Sequence, residues 1–134
     1  MSPSDPRVPP DLLAALRHRD VLLVTSRDAE RTGTVPMGFA LTPDGVVYLL
    51  TSAFSRKAQR WEVDPWVRLA VPGGGAALEG LARRVGPDTV DAPLAEILLD
   101  RFRDSGASTA EGLRQLLETG AHRLIRIEGL RRAD

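Results

Sequence analysis

No cysteine occurs among the 134 residues, and that one absence removes disulfides, thiolate metal sites and cysteine nucleophiles together. Histidine is nearly missing as well. His18 and His122 stand far apart with no carboxylate at ligand spacing, so a histidine-built metal site is not expected. The 18 basic residues balance the 18 acidic ones, which leaves out the basic surplus that broad nucleic-acid binding by counter-ion release demands. No apolar run approaches the roughly 18–20 residues of a membrane span, and no hydrophobic leader follows Met1. A cytoplasmic protein with no membrane partner is the expectation. Lysine occurs once, at Lys57, in a chain whose other long cations are all arginine.

What is present is globular in character, with 43% hydrophobic and 27% charged residues, and the length suits a single domain over residues 1–134. The first ten residues carry four prolines and no periodicity, and read as a loose, flexible arm. Asp11 can cap a short helix running to Arg19, with Leu12, Leu13 and Leu16 on one stripe. Val21–Thr25 reads as a strand buried on both faces, and Arg27–Gly33 as a polar turn. Thr34–Leu41 should pair back as a second strand, although Pro36 and Gly38 are unusual in one. Such a strand lies at an edge or against something other than protein, and Gly38 would let a flat ligand approach; a bulge accounts for the same glycine.

Thr42-Pro43-Asp44-Gly45 is a hairpin signal, followed by a third strand ending at Thr51. A helix over Ser55–Val63 stops at Asp64-Pro65, because the residue before proline is biased away from helical angles. Val67–Val71 and Ala76–Val85 are two more strands, the latter bending at Gly80. The Gly73–Gly75 run between them lacks the Lys-Ser/Thr that completes a phosphate loop, and is read as a connection. Helices are expected over Asp91–Asp104 and Ala110–Thr119, the second with a Ser108/Glu111 capping box, and Ala121–Glu128 is a sixth strand.

The helix at Ser55 is the chemically informative element. Arg56 and Lys57 occupy its first turn, where the partial positive charge of the helix N-terminus opposes cations by roughly 0.3–1 kcal/mol each. An anion resting there, held by amides, charges and the hydroxyls of Thr51, Ser52 and Ser55, would explain the placement. An ordinary solvated face with a serine cap explains the same residues.

The segment YLLTSAFSRKAQRWEVDPWVRLAV, Tyr48 to Val71, resembles the third strand, phosphate-binding helix and fourth strand of the pyridoxamine 5′-phosphate oxidase-like and flavin reductase-like split-barrel superfamily. The resemblance extends over about Val21–Gly86 and implies a mainly β fold, a six-stranded antiparallel split β-barrel of Greek-key type with peripheral α-helices. It implies that Thr51, Ser52, Ser55, Arg56 and Lys57 hold a flavin phosphate. Val35, Pro36, Met37 and Gly38 would then run along the edge of the ring system. Thr34 stands where the oxidases proper carry a cation, and their C-terminal Trp and Arg substrate motif is missing. The chain therefore resembles the short, divergent members that bind FMN or a deazaflavin coenzyme.

The implied activity is an oxidoreductase transferring a hydride between FMN and a small-molecule substrate. The alternatives are a deazaflavin-dependent reductase and a cofactor-binding protein without turnover. A homodimer with the cofactor at the interface is also implied, with Trp61 or Trp66 near it or in the core. Arg60, Arg83 and Arg84 could line a basic groove for the deazaflavin tail. The residues nominate no catalytic acid or base and no metal ligand.

Overall fold

A computed structural model describes residues 7–29 and 31–133. Its elements run α1 (Pro10–Arg17), β1 (Val21–Asp28), β2 (Arg31–Gly38), β3 (Ala40–Leu41), β4 (Val47–Ser52), α2 (Arg56–Val63), β5 (Trp66–Ala70), β6 (Ala77–Val85), α3 (Ala92–Arg101), α4 (Ala110–Glu118) and β7 (His122–Arg132). The chain is mainly β, with four α-helices around one antiparallel sheet in the order β2-β1-β5-β6-β7-β4-β3.

That order forces curvature. β2 and β3 are the two ends of the sheet, yet only Phe39 separates them in sequence. Gly38 and Ala40 can be at most about 7 Å apart, whereas the ends of a flat seven-stranded sheet would be about 29 Å apart. The sheet is accordingly curled into a half-barrel. Seven strands replace the six expected, because the anticipated strand Thr34–Leu41 breaks at Phe39. The Phe39 carbonyl accepts a hydrogen bond from Arg101 Nε at 3.2 Å, and the Phe39 ring is fully buried. The Arg101 guanidinium lies 5.6 Å from that ring and also reaches Asp20 Oδ1 and the Arg19 carbonyl, at 3.1 and 2.8 Å.

The hairpin between β1 and β2 is tighter than the polar turn expected over Arg27–Gly33. The ladder continues through Ser26↔Gly33 and Arg27↔Thr32 to Asp28↔Arg31, which places Gly33 inside the strand. β1 alternates buried and half-buried residues instead of being covered on both faces, because the cluster under α3 and α4 on the convex face includes no residue of β1. The edge position of β2 suits Pro36, which has no amide to donate.

Register sorts the side chains. On the concave face, Leu22, Val24, Leu49, Leu69, Leu78, Ile125 and Ile127 pack with Trp61 of α2 and Leu12 and Leu16 of α1. On the convex face, α3 and α4 cover Tyr48 and Leu124 with Leu94, Leu98, Leu113 and Leu117. Gly80 marks the expected bend: the β6–β7 register shifts between Glu79 and Leu81, and a Cβ at Gly80 would lie 2.6 Å from the Glu128 carbonyl oxygen. The cap of α4 is Thr109, one residue after the expected serine, its Oγ1 accepting from Gly112 N at 3.0 Å.

Most of the expected N-terminal arm, residues 1–6, lies outside the described residues. From Arg7 onward the reading as a loose arm is corrected. Arg7 bridges Val46, Val8 N donates to Gly45 O at 2.7 Å, and Val8 is buried against the core. Among the described residues no helix is long and apolar enough to cross a membrane, and no group of three His, Cys, Asp or Glu side chains could hold a metal.

Arg101→Ala removes three hydrogen bonds, one tying α3 to the crossover at Phe39 and two tying it to Arg19 and Asp20 before β1. It is expected to lower unfolding stability by about 2 kcal/mol. Asp100→Ala, which breaks only the exposed pair with Arg103, should cost under about 0.5 kcal/mol. Urea denaturation of both variants checks the contrast.

Candidate functional site

α2 lies over the concave face with its first turn beside β2. Its start is the one expected: Ser55 caps it, Oγ accepting from Ala58 N at 3.2 Å, and Asp64-Pro65 closes it. Between this turn and β2 lies a cleft of about 450 Å³, with Ser26, Gly33, Val35, Arg56, Lys57 and Arg60 among its lining residues. It adjoins a second hollow of about 360 Å³ that shares Arg31, Arg56 and Arg60 and is bordered by Asp28 and Val63.

Four cations thus surround one opening. Arg31, Arg56 and Lys57 make no ion pair with any described residue. Arg60 donates to Asp28 Oδ2 and to Ser26 Oγ, both at 3.3 Å. Ser26 is almost fully buried, so Arg60 supplies its hydroxyl with a partner that water does not. Gly33 makes room for this arrangement, because a Cβ built there would overlap Arg60 Nη1. Burial holds the Lys57 ammonium below the ordinary lysine range. Uncompensated cations at a helix start, one of them desolvated, form an anion-binding arrangement.

The residues expected to form the site separate into groups. Val35, Arg56 and Lys57 line the cleft together. Ser55 is engaged as the helix cap and in a 3.1 Å contact with Thr51 Oγ1, which is buried beneath α2. Ser52 is on the opposite face, where its hydroxyl accepts from Phe54 N at 3.2 Å. Met37 shares the concave face with Val35 but packs into the core. Pro36 and Gly38, paired with Leu23 and Val21, are on the convex face.

Five lining residues were not nominated from sequence: Ser26, Arg31, Thr32, Gly33 and Thr34. Their signal was the two-residue period Arg31, Gly33, Val35, legible only once Arg31 is known to pair with Asp28. Arg60, Arg83 and Arg84 do not form one groove. Arg60 borders this cleft, while Arg83 and Arg84 lie on the other flank of α2. None of the described residues lining the main cleft is a histidine, tyrosine or carboxylate.

No protein-family model and no curated protein matches the sequence. Solved structures do. A protein of Listeria innocua named as a candidate pyridoxamine 5′-phosphate oxidase aligns with TM-score 0.60 and 22% identity, over 91% of this chain and 94% of that one. A conserved hypothetical protein of Mycobacterium tuberculosis aligns with TM-score 0.66 and 20% identity, over 92% and 81%. The heme storage protein HutZ of Vibrio cholerae aligns with TM-score 0.59 and 21% identity, over 91% and 89%. At these identities the likeness establishes the fold, which is that of the pyridoxamine 5′-phosphate oxidase-like proteins, as the Tyr48–Val71 segment led us to expect.

Two outcomes follow from the geometry. The unfolded chain binds the Lys57 proton more tightly than the folded one, so stability should rise with pH between the lowered folded pKa and the ordinary value. That rise should be smaller in Lys57→Met, and inorganic phosphate should suppress it by favouring the charged form; thermal melts across the alkaline range check this. Gly33→Ala should displace Arg60 from Ser26, cost about 1 kcal/mol, and weaken phosphate binding severalfold by calorimetry.

Proposed function

We propose that the cleft between β2 and α2 binds the phosphate-bearing end of FMN, and that the chain works as a flavin-dependent oxidoreductase on a small-molecule substrate. The observation that carries the reading is the pair Arg56 and Lys57 at a capped helix start, facing Arg31 on the edge strand β2, all three without an ion pair to any described residue. Arg56 and Lys57 would meet the phosphate, with Arg60 positioned behind them by Ser26 and Gly33. The unpaired edge of β2 offers backbone donors and acceptors, apart from the amide missing at Pro36. Val35, two-fifths exposed, supplies an apolar wall on the concave face.

The donor set fits the cofactor. A phosphate needs charge and N–H groups, and a ring needs an apolar wall with a strand edge beside it. A main cleft of about 450 Å³ that opens into a second hollow falls within the range of small-molecule sites. When bound, FMN supplies the redox chemistry through its ring system. The chain's part is to neutralise the phosphate, orient the ring and limit water. In this reading the half-barrel is the split barrel of the flavoproteins, with β2 and β3 counted as one strand. The cleft opens beside the exposed Val63, and we infer a homodimer in which a second copy closes it over the cofactor.

FMN is preferred over a deazaflavin because the arginines that would receive a longer acidic tail are divided between the two flanks of α2. A second reading, cofactor binding without turnover, is favoured by a main cleft whose described lining residues include no histidine, tyrosine or carboxylate. A heme storage protein with the same fold illustrates such a role.

Titration with FMN and separately with a deazaflavin, followed by fluorescence, tests the site. FMN should bind at micromolar concentration or tighter. Arg56→Ala combined with Lys57→Ala should weaken it at least about tenfold with the fold intact, since a charge-assisted contact is worth about 1.5–3 kcal/mol. Unchanged affinity in the double variant removes the assignment. Bound FMN that no reductant or acceptor changes would favour storage over catalysis.

A further inference from the structure

The other flank of α2 carries a second cleft, of about 300 Å³, which the flavin reading does not use. Its polar wall is Trp61 and Glu62 of α2, Arg83 and Arg84 of β6 and Arg123 of β7, and its apolar floor includes Ala82 and Ile125; Arg83 lies 3.7 Å from Glu128. Arg84 sits opposite Ile125, and Arg123 opposite Thr51, so both arginines start from the concave face.

Two features distinguish this hollow from a surface dimple. The first is charge. Glu62 is the one carboxylate shared by both guanidiniums, 2.7 Å from Arg123 and 3.8 Å from Arg84. Within the set Arg84, Arg123 and Glu62 one positive charge is left over, Arg83 being directed to Glu128. The Arg123 side chain is largely buried, whereas those of Glu62 and Arg84 are half exposed, so the carboxylate can leave Arg123 for solvent more readily than Arg123 can follow.

The second feature is a pair of orphaned donors. Trp61 Nε1 and Arg123 Nε are both buried without an acceptor, and the Trp61 residue is only 6% exposed. Buried N–H groups are nearly always paired, and leaving one unpaired is unfavourable. Both orphans belong to residues that wall the same cleft, and both are donors. What is missing is an acceptor.

We propose that this cleft binds a small aliphatic monocarboxylate. The ligand carboxylate takes the place of Glu62 at Arg123, accepts from the donors now orphaned, and draws Arg84 inward. Its short hydrocarbon body lies on Ala82 and Ile125. The excess positive charge of the Arg84–Arg123–Glu62 set matches a monoanion, and the volume limits the body to a few carbons. The site is independent of the flavin assignment, since no residue of the first cleft takes part.

The test uses the unmodified protein, labelled with 15N and titrated with sodium butyrate, with butylammonium as the control. The two tryptophans give two indole N–H resonances, and Trp66 Nε1 already donates to Glu79 at 3.1 Å. Butyrate should move the Trp61 resonance downfield and saturably while leaving that of Trp66 in place, and butylammonium should move neither. Arg84→Gln, at a half-exposed position, should weaken butyrate about tenfold. Glu62→Gln should tighten it severalfold by removing the internal competitor. A Trp61 resonance that does not move, a response equal for both ions, or weaker binding in Glu62→Gln would each overturn the proposal.

Discussion

A single residue has to carry the chain from one end of the sheet to the other, and the rest of the molecule follows from that constraint. Gly38 belongs to one edge and Ala40 to the opposite one, so the sheet between them curls. Curling makes one face concave, and the concave face buries most of the apolar strand residues. The crossover is held where it must be by Arg101, which gives the Phe39 carbonyl the partner that a regular strand would have supplied. A buried carbonyl without one would cost about 1–3 kcal/mol. Arg101 also couples the convex layer to the crossover, since it projects from the end of α3.

α2 completes the concavity and divides it. Trp61 anchors the helix in the core, and its two flanks face β2 on one side and β6–β7 on the other. The electrostatics of the flanks differ in kind. On the β2 side, cations without an ion pair to any described residue stand at the helix start, where backbone dipole and charge add in a sense that favours an anion. On the β6–β7 side the charges are nearly matched, and the unmet demand is for hydrogen-bond acceptors. A helix of eight residues thus presents two chemically distinct surfaces.

Much of this was legible in the residues. Pro36 announced an edge strand, Asp64-Pro65 a helix stop and Gly80 a bend, because each has a local physical cause. Gly33 was misplaced because polar residues such as Arg27, Asp28 and Arg31 resemble a turn when their partners are unknown; at a sheet edge near solvent a strand can be polar throughout. The outward direction of Pro36 and Gly38 depends on register, which a one-residue shift inverts. The break at Phe39 depends on Arg101, 62 residues later, and no local pattern could show it. The pairing of Arg84 and Arg123 with Glu62 is long-range in the same way.

The position of β7 has a consequence for how the protein is made. It pairs with β6 on one side and β4 on the other, in the interior of the sheet, although it is the last of the seven strands to leave the ribosome. Until it arrives, β2-β1-β5-β6 and β4-β3 share no ladder, and β4 and β6 each expose an edge that the native fold covers. Strand order alone thus leaves those two edges uncovered until β7 is made, and edges of that kind can pair with neighbouring chains. The slow step of folding should be the closing of these long-range contacts, and substitutions in β7 should alter yield during synthesis more than their equilibrium effect alone would suggest.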